Sequence, residues 1–286
     1  ARVDTVVHCG AQVNHVLPYD ALRHANVVGT VEVLRFADRL PCRPRMIHVS
    51  TVGVLTADML RAGLFREVPV SRKFDGLKSH NGYGQTKYVA EVLVNDAFHS
   101  GRFYSCVVFR PAFVSGHSRT GHCNPSDTVS LLLRSMVELR SAPCSERGRT
   151  FALDMSPVDF VARGIVSSGL GVAANETIVL HPVHPSSLVP VDEFRAAVEA
   201  CGVSVTGEPV RSWRQRAAGE RNAMQPLAKR VRFASSSLFA NTEFLRRLDV
   251  GSRTAGVSKA TLLRYVAFLV RTGHIRGITV PPTPSL

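Results

Sequence analysis

Tyr83 and Lys87 are the residues best placed to do chemistry, in the stretch Asn81-Gly82-Tyr83-Gly84-Gln85-Thr86-Lys87. Beyond Gly84 neither proline nor glycine occurs until Gly101, and apolar residues recur at helical spacing. That pattern predicts a helix with Tyr83 in its first turn and Lys87 in its second. Residues four apart share a helix face, so the phenol and the ammonium can reach the same small volume. A neighbouring cation favours the phenolate and is expected to pull the tyrosine from about 10 towards neutrality. Tyr83 would then donate a proton to a carbonyl oxygen. A lone Tyr-x-x-x-Lys is most often a lysine stem lying on a ring, so the flanking elements decide its meaning.

Those elements alternate. Val3–Val7 reads as a strand, and His8-Cys9-Gly10-Ala11 is a small-residue turn at its carboxyl end. In an open α/β sheet ligands sit outside the carboxyl ends of strands, although a simple tight turn accounts for the same residues. Tyr19 to Leu40 has helical periodicity, with Asn26-Val27-Val28-Gly29-Thr30 inside it and Pro41 and Pro44 ending it. Arg45–Val49 is a second strand, followed by Ser50-Thr51-Val52-Gly53-Val54. Phe103–Phe109 is a third, running into Arg110-Pro111-Ala112-Phe113-Val114. Strand, helix and strand in alternation predict a parallel sheet with helices on both faces. Thr51 then projects from the same sheet edge as the Gly10 turn.

The rest of the chain excludes more than it assigns. Its 286 residues allow an ample core, and 45% hydrophobic with 20% charged residues is ordinary for a globular protein. Apolar runs are too short for a transmembrane helix. The 6 cysteines form no Cys-x-x-Cys pair, which favours reduced thiols and a cytoplasmic setting over disulfides or zinc. A formal charge of +13 calls for an acidic partner or a nucleic acid. From Arg211 to Arg232 basic residues (Arg211, Arg214, Arg216, Arg221, Lys229, Arg230, Arg232) crowd against the single acid Glu220. That run suits an acidic carrier or a solvated helix face, and no aromatic interleaving supports a nucleic acid. His181 and His184 lack a third ligand nearby, so a solvated loop is expected and no metal site. Helices are predicted over 127–139, 158–166, 191–201 and 261–270, and a disordered tail from 276 on.

Taken together, these features are similar to those of extended short-chain dehydrogenases/reductases. More narrowly, the chain resembles the thioester reductase domains of carboxylic acid reductases, nonribosomal peptide synthetases and aminoadipate reductases. The likeness rests on His8-Cys9-Gly10-Ala11-Gln12-Val13-Asn14, Pro18-Tyr19, Asn26-Val27-Val28-Gly29-Thr30 and Tyr83-Gly84-Gln85-Thr86-Lys87. It extends through Gly116-His117-Ser118-Arg119-Thr120-Gly121, Asn124 and Asp127 to Met155-Ser156-Pro157-Val158-Asp159-Phe160-Val161-Ala162-Arg163. The resemblance implies an α/β, Rossmann-like doubly wound parallel sheet over 1–180. A smaller substrate- and carrier-binding part over 181–275 and the tail over 276–286 would follow.

It also implies roles. Tyr83 would be the general acid, Lys87 its pKa-lowering neighbour and a ribose ligand, and Thr51 the hydroxyl that holds the substrate oxygen. Gly10, Ala11, Asn26, Ser50, Lys87, Pro111, Phe113 and Val114 would line the site of an NADPH cofactor. Asn26 is equally consistent with a buried asparagine that ties two loops. The substrate would be an acyl group on the phosphopantetheine of a carrier protein, released as aldehyde or alcohol. Other readings are a dehydrogenase acting on a free substrate or fatty acyl-CoA, a non-catalytic remnant, and a basic nucleic-acid-binding module.

One departure matters. The family's Gly-x-x-Gly-x-x-Gly turn, which brings backbone amides to the cofactor pyrophosphate, does not occur in the sequence. The chain therefore reads as N-terminally truncated, with its first strand left as an edge. Unmade charge-assisted bonds to the phosphates weaken binding by about 10²–10⁴-fold if two are lost. Calorimetric titration of these 286 residues with NADPH is therefore expected to show no micromolar affinity, and micromolar binding by folded material would contradict the expectation.

Overall fold

The computed structural model describes residues 3–55, 65–74, 77–144, 151–219, 221–229, 233, 239–248 and 255–282. In chain order the strands are β1 (Thr5–His8), β2 (Arg45–Val49), β3 (Ser105–Phe109), β4 (Phe113–Ser115), β5 (Ser141–Cys144), β6 (Ala152–Pro157), β7 (Thr177–Leu180), β8 (Leu188–Pro190) and β9 (Thr206–Pro209). The α-helices are α1 (Tyr19–Arg23), α2 (Gly29–Asp38), α3 (Gly82–His99), α4 (Thr128–Leu139), α5 (Val158–Leu170), α6 (Val191–Glu199), α7 (Val210–Ala217), α8 (Thr242–Arg247) and α9 (Lys259–Arg271).

Two compact units share the chain. One comprises 1–112, 162–183 and 238–253, the other 113–161, 184–237 and 254–286. This interleaving differs from the contiguous division at 180/181 that the sequence suggests. The reason lies in pairing: β6 runs parallel to β4 and antiparallel to β8, and none of the three joins the larger sheet. Conversely, Glu67 accepts from the backbone N–H groups of His181, Glu243 and Phe244, which fastens α8 into the first unit.

The first unit is a parallel sheet in the order β1-β2-β3-β7. Successive strand residues point to opposite faces, and both faces are covered. On one, Met46, Cys106 and Val108 pack with Ala37 of α2 and Val94 of α3. On the other, Gly169 of α5 lies against Ile47 and Phe109, where a Cβ would come within 2.7 Å of Ile47 Cδ1. The expected doubly wound arrangement is what the unit adopts.

In the second unit α4, α6, α7 and α9 enclose one core, with Leu132, Phe194, Trp213 and Leu269 fully buried. Ile278 and Val280 pack on it, so the disordered tail expected from 276 does not begin there; residues 283–286 lie outside the described ones. Apolar side chains at the end of the chain gain more from burial than they lose in ordering. His181 and His184 are buried rather than solvated, because His181 Nδ1 meets the Ala240 carbonyl at 2.8 Å and His184 packs edge-on against Phe160. Burial pushes His181 down to about 3. Among the described residues no group of His, Cys, Asp or Glu is arranged to hold a metal ion. None of their helices is long and apolar enough to cross a membrane.

The sheet and α3 are locked by a buried ion pair. Arg110, fully buried at the end of β3, places Nη2 2.7 Å from Oε2 of Glu91 on α3 and Nε 3.0 Å from Oε1. Glu91→Gln leaves the Arg110 charge uncompensated and is expected to cost about 3–5 kcal/mol. Glu32→Gln breaks an exposed pair with Arg35 and should cost under about 1 kcal/mol. Urea denaturation of both variants checks this, and similar costs would mean that the Arg110 pair is not desolvated.

Candidate active site

The site forms where β1, β2 and β3 end and α3 begins. The backbone after β2 is pinned to β3, with Ser50 N–H donating to Phe109 O at 2.6 Å and Val52 N–H to Pro111 O at 3.0 Å. Thr51 Oγ1 accepts from Gly53 N–H at 3.1 Å and caps a short 3₁₀ turn over Val52–Val54. Its oxygen is thereby oriented, and that bond leaves the hydroxyl hydrogen unused. Ser50 Oγ is buried and finds no partner among the described residues.

Helix α3 starts as the sequence predicts. Asn81 is its N-cap and accepts from Gly84 N–H at 2.8 Å. Two glycines flank Tyr83, at a cost of about 1 kcal/mol each in a helix. Close approach explains them. A Cβ on Gly82 would lie 2.4 Å from the Pro18 backbone, and one on Gly84 2.7 Å from Gly53 O. The first turn is thus pressed between the loop before α1 and the turn after β2. Tyr83 is 8% exposed and packs edge-on against His15, ring centroids 5.4 Å apart.

Lys87 is 1% exposed. Its Nζ donates to Val49 O at 2.9 Å and lies 3.3 Å from His48 Nε2. Burial lowers its pKa to about 8, against the opposing pull of Glu91 and Cys9. Tyr83, expected to be lowered by this lysine, is instead raised to about 12. Removal of the phenol from water outweighs the cation, whose hydrogen bonds go to β2. Tyr83 therefore stays protonated, the form a general acid needs.

Asn26 sits in a π-helical turn (His24–Val28) between α1 and α2. Its Oδ1 accepts from Gln12 N–H at 2.7 Å, and Nδ2 donates to Gln12 O at 3.1 Å and Thr86 Oγ1 at 3.0 Å. Both amide hydrogens are used, so Asn26 shapes the turn that carries Gly10 and Ala11. Gly10, Ala11, Asn26, Ser50, Thr51, Tyr83, Lys87 and Pro111 all belong to the first unit, whereas Phe113 and Val114 lie on β4 in the second. Sequence reasoning passed over His8, His15 and His48. Paired glycines around a helical tyrosine were a readable sign of tight packing.

These residues fit one half of a nicotinamide dinucleotide. The orphaned Ser50 hydroxyl and the buried Lys87 ammonium offer ribose-binding groups beside Gly10, where a Cβ would meet nothing but the His8 ring, at 3.7 Å. No glycine-rich turn is available for the pyrophosphate. Comparison with known proteins supports a nicotinamide-binding domain. Residues 1–165 match the model of an NAD-binding family described as "Male sterility protein". The chain belongs to this family. Glycine betaine reductase ATRR of Emericella nidulans is 39% identical over 177 residues, covering 62% of this chain and 13% of that protein. The carboxylic acid reductase of Segniliparus rugosus is 37% identical over 210 residues, 68% of this chain and 17% of that protein. The chain thus spans less than a fifth of either. Among solved structures, the terminal R domain from the myxalamid PKS-NRPS pathway superimposes with a TM-score of 0.77 at 30% identity, covering 98% of this chain and 70% of that one. The fold is that of the reductase domains of the extended short-chain dehydrogenase/reductase family.

Within such a reductase domain the state of Lys87 is measurable. The folded chain releases the Lys87 proton near pH 8, while the unfolded chain holds it to about 10.4. Between these values the unfolded state binds more protons, so this group makes stability rise with pH. The wild-type minus Lys87→Met difference in unfolding free energy should rise by on the order of 2 kcal/mol from about pH 8 to pH 10. A flat difference would place the ammonium in water.

Proposed function

We propose that this chain carries the hydride-transfer site of a reductive release reaction, in which NADPH reduces an acyl thioester on a carrier's phosphopantetheine to an aldehyde. The supporting observation is the buried Lys87 ammonium, bonded to the Val49 carbonyl immediately before Ser50 and Thr51, one helical turn from Tyr83. When bound, the reduced nicotinamide supplies the hydride.

The chain's own groups divide the remaining work. Thr51 O–H donates to the thioester oxygen and fixes its carbon in place. Tyr83 gives its proton to that oxygen as negative charge develops, and the buried Lys87 stabilises the phenolate left behind. The tetrahedral hemithioacetal then collapses: the hydroxyl proton returns to the Tyr83 phenolate, the C–S bond breaks with its electron pair on sulfur, and the thiolate takes a proton from solvent and leaves as the carrier's thiol. Lys87 also offers its third N–H to the ribose hydroxyls.

Tyr83→Phe tests this in a chimera that places the glycine-rich strand, turn and helix of a related reductase ahead of residue 1. Turnover should fall about 10²–10⁴-fold with cofactor affinity unchanged. Near-wild-type turnover would remove Tyr83 from the chemistry.

Carrier docking falls to the basic segment, and the structure divides it. Arg216 Nη1 lies 3.1 Å from Glu208 Oε2, and its Nη2 donates to Leu139 O at 3.0 Å, so it holds α7 to its neighbours. Arg211, Arg214 and Lys229 line a hollow of about 390 Å³ with Phe151, Val210 and Gln215; Glu220, Arg230 and Arg232 lie outside the described residues. Surface charge chiefly steers encounter. Arg211→Glu with Arg214→Glu should raise KM for a carrier-bound thioester and leave a small pantetheine thioester nearly unaffected. Equal effects on both substrates would count against docking here.

A further inference from the structure

Lys87 leans on a neighbour to which the mechanism gives no part. His48, in β2, is fully buried, and its Nε2 stands 3.3 Å from Lys87 Nζ. An ammonium only donates, so the contact requires a bare Nε2 that accepts. The proton of the neutral ring then sits on Nδ1, a buried atom with no partner among the described residues. Burial, then Lys87 and His8, hold His48 well below its usual pKa, so the ring stays neutral while the lysine carries charge.

The ring is held from behind. His8 and His48 are register partners on β1 and β2, with ring centroids 5.2 Å apart. Thr30 Oγ1 donates to Asn26 O at 2.7 Å, so at its 2.9 Å contact with His8 the hydroxyl accepts and His8 Nε2 donates. Asn26 Nδ2 in turn reaches Thr86 Oγ1, which donates to Tyr83 O at 2.9 Å. A buried polar run therefore leads from the Tyr83 backbone through Thr86, Asn26, Thr30 and His8 to the ring of His48, and from His48 to Lys87. A leucine would fill the His48 position without burying an unpartnered N–H, which is costly. The bond to Lys87 is what offsets that cost.

We propose that His48 is a positioning residue: as a neutral acceptor it holds the Lys87 ammonium at the Val49 carbonyl and so keeps that lysine in register with Tyr83. The reductase reading supplies only the reason why Lys87 matters; the hold itself does not depend on it. The titratable groups facing Lys87 are His8 and Cys9 at the end of β1, His48 on β2 and Glu91 on α3, the last paired with Arg110.

Lysine 13Cε NMR of the 286-residue chain, followed against pH, reads the Lys87 midpoint without any turnover. His48→Leu removes the acceptor and should lower that midpoint by about one unit. His48→Gln, whose amide oxygen accepts, should restore most of it. An unchanged midpoint in folded His48→Leu, or no recovery in His48→Gln, overturns the proposal. Should His48→Leu fail to fold, 15N NMR of the unaltered chain decides: bare Nε2 with a protonated Nδ1 supports the hold, and a protonated Nε2 overturns it. Thioester hydrolysis without reduction by the unaltered chimera would sink the reductase reading while leaving these outcomes intact.

Discussion

The first unit is organised around one charged group placed where water cannot reach it. A lysine ammonium is strongly hydrated, and burying it in an apolar surround is costly enough that the group tends to lose its proton. Lys87 nevertheless sits 1% exposed with the Val49 carbonyl and the His48 ring as partners. Two conditions must hold for that placement. The carboxyl end of β2 must present a carbonyl not consumed by the sheet, and α3 must approach closely enough for the lysine to reach it. The first is met because β1 ends at His8, paired with His48, while β2 runs on to Val49 with its backbone still pinned to β3 through Ser50. Gly82 and Gly84 meet the second by removing the side chains that would hold the helix away.

The same approach sets the state of Tyr83. Packing that brings Lys87 to β2 also strips water from the phenol, and desolvation outweighs a cation whose own hydrogen bonds are directed elsewhere. The result is a phenol that keeps its proton well above neutral pH. Glu91, one turn beyond Lys87, shares the helix face and is neutralised by Arg110 at the end of β3. Ion pair, ammonium and phenol thus lie along one face of α3, the first two fixed by the ends of β3 and β2 and the third packed on His15.

Much of this was legible in the sequence. The strands ending at Val7, Val49 and Phe109, the long helix after Asn81 and the Tyr83–Lys87 spacing are local patterns, and local patterns survive folding. The pKa direction of Tyr83 was not legible, because it depends on how much water the tertiary packing excludes. The interleaved units were hidden for a related reason: β4, β6 and β8 pair across long sequence separations, and no local period announces that. His181 and His184 look like loop residues in sequence and are buried because Glu67 and Phe160 meet them from distant segments. Asn26 was readable only as an ambiguity, and its bonds to Gln12 and Thr86 show that it ties the turn after β1 to α3.

The central claim is that this constellation reduces a thioester carbon rather than hydrolysing it. Incubating the chimera with NADPH deuterated at the transferred position of C4 and an acyl pantetheine thioester tests it most directly. Mass spectrometry should find one deuterium on the aldehyde carbon, with free thiol released in equal amount. Thiol release accompanied by the unlabelled carboxylic acid would contradict the account.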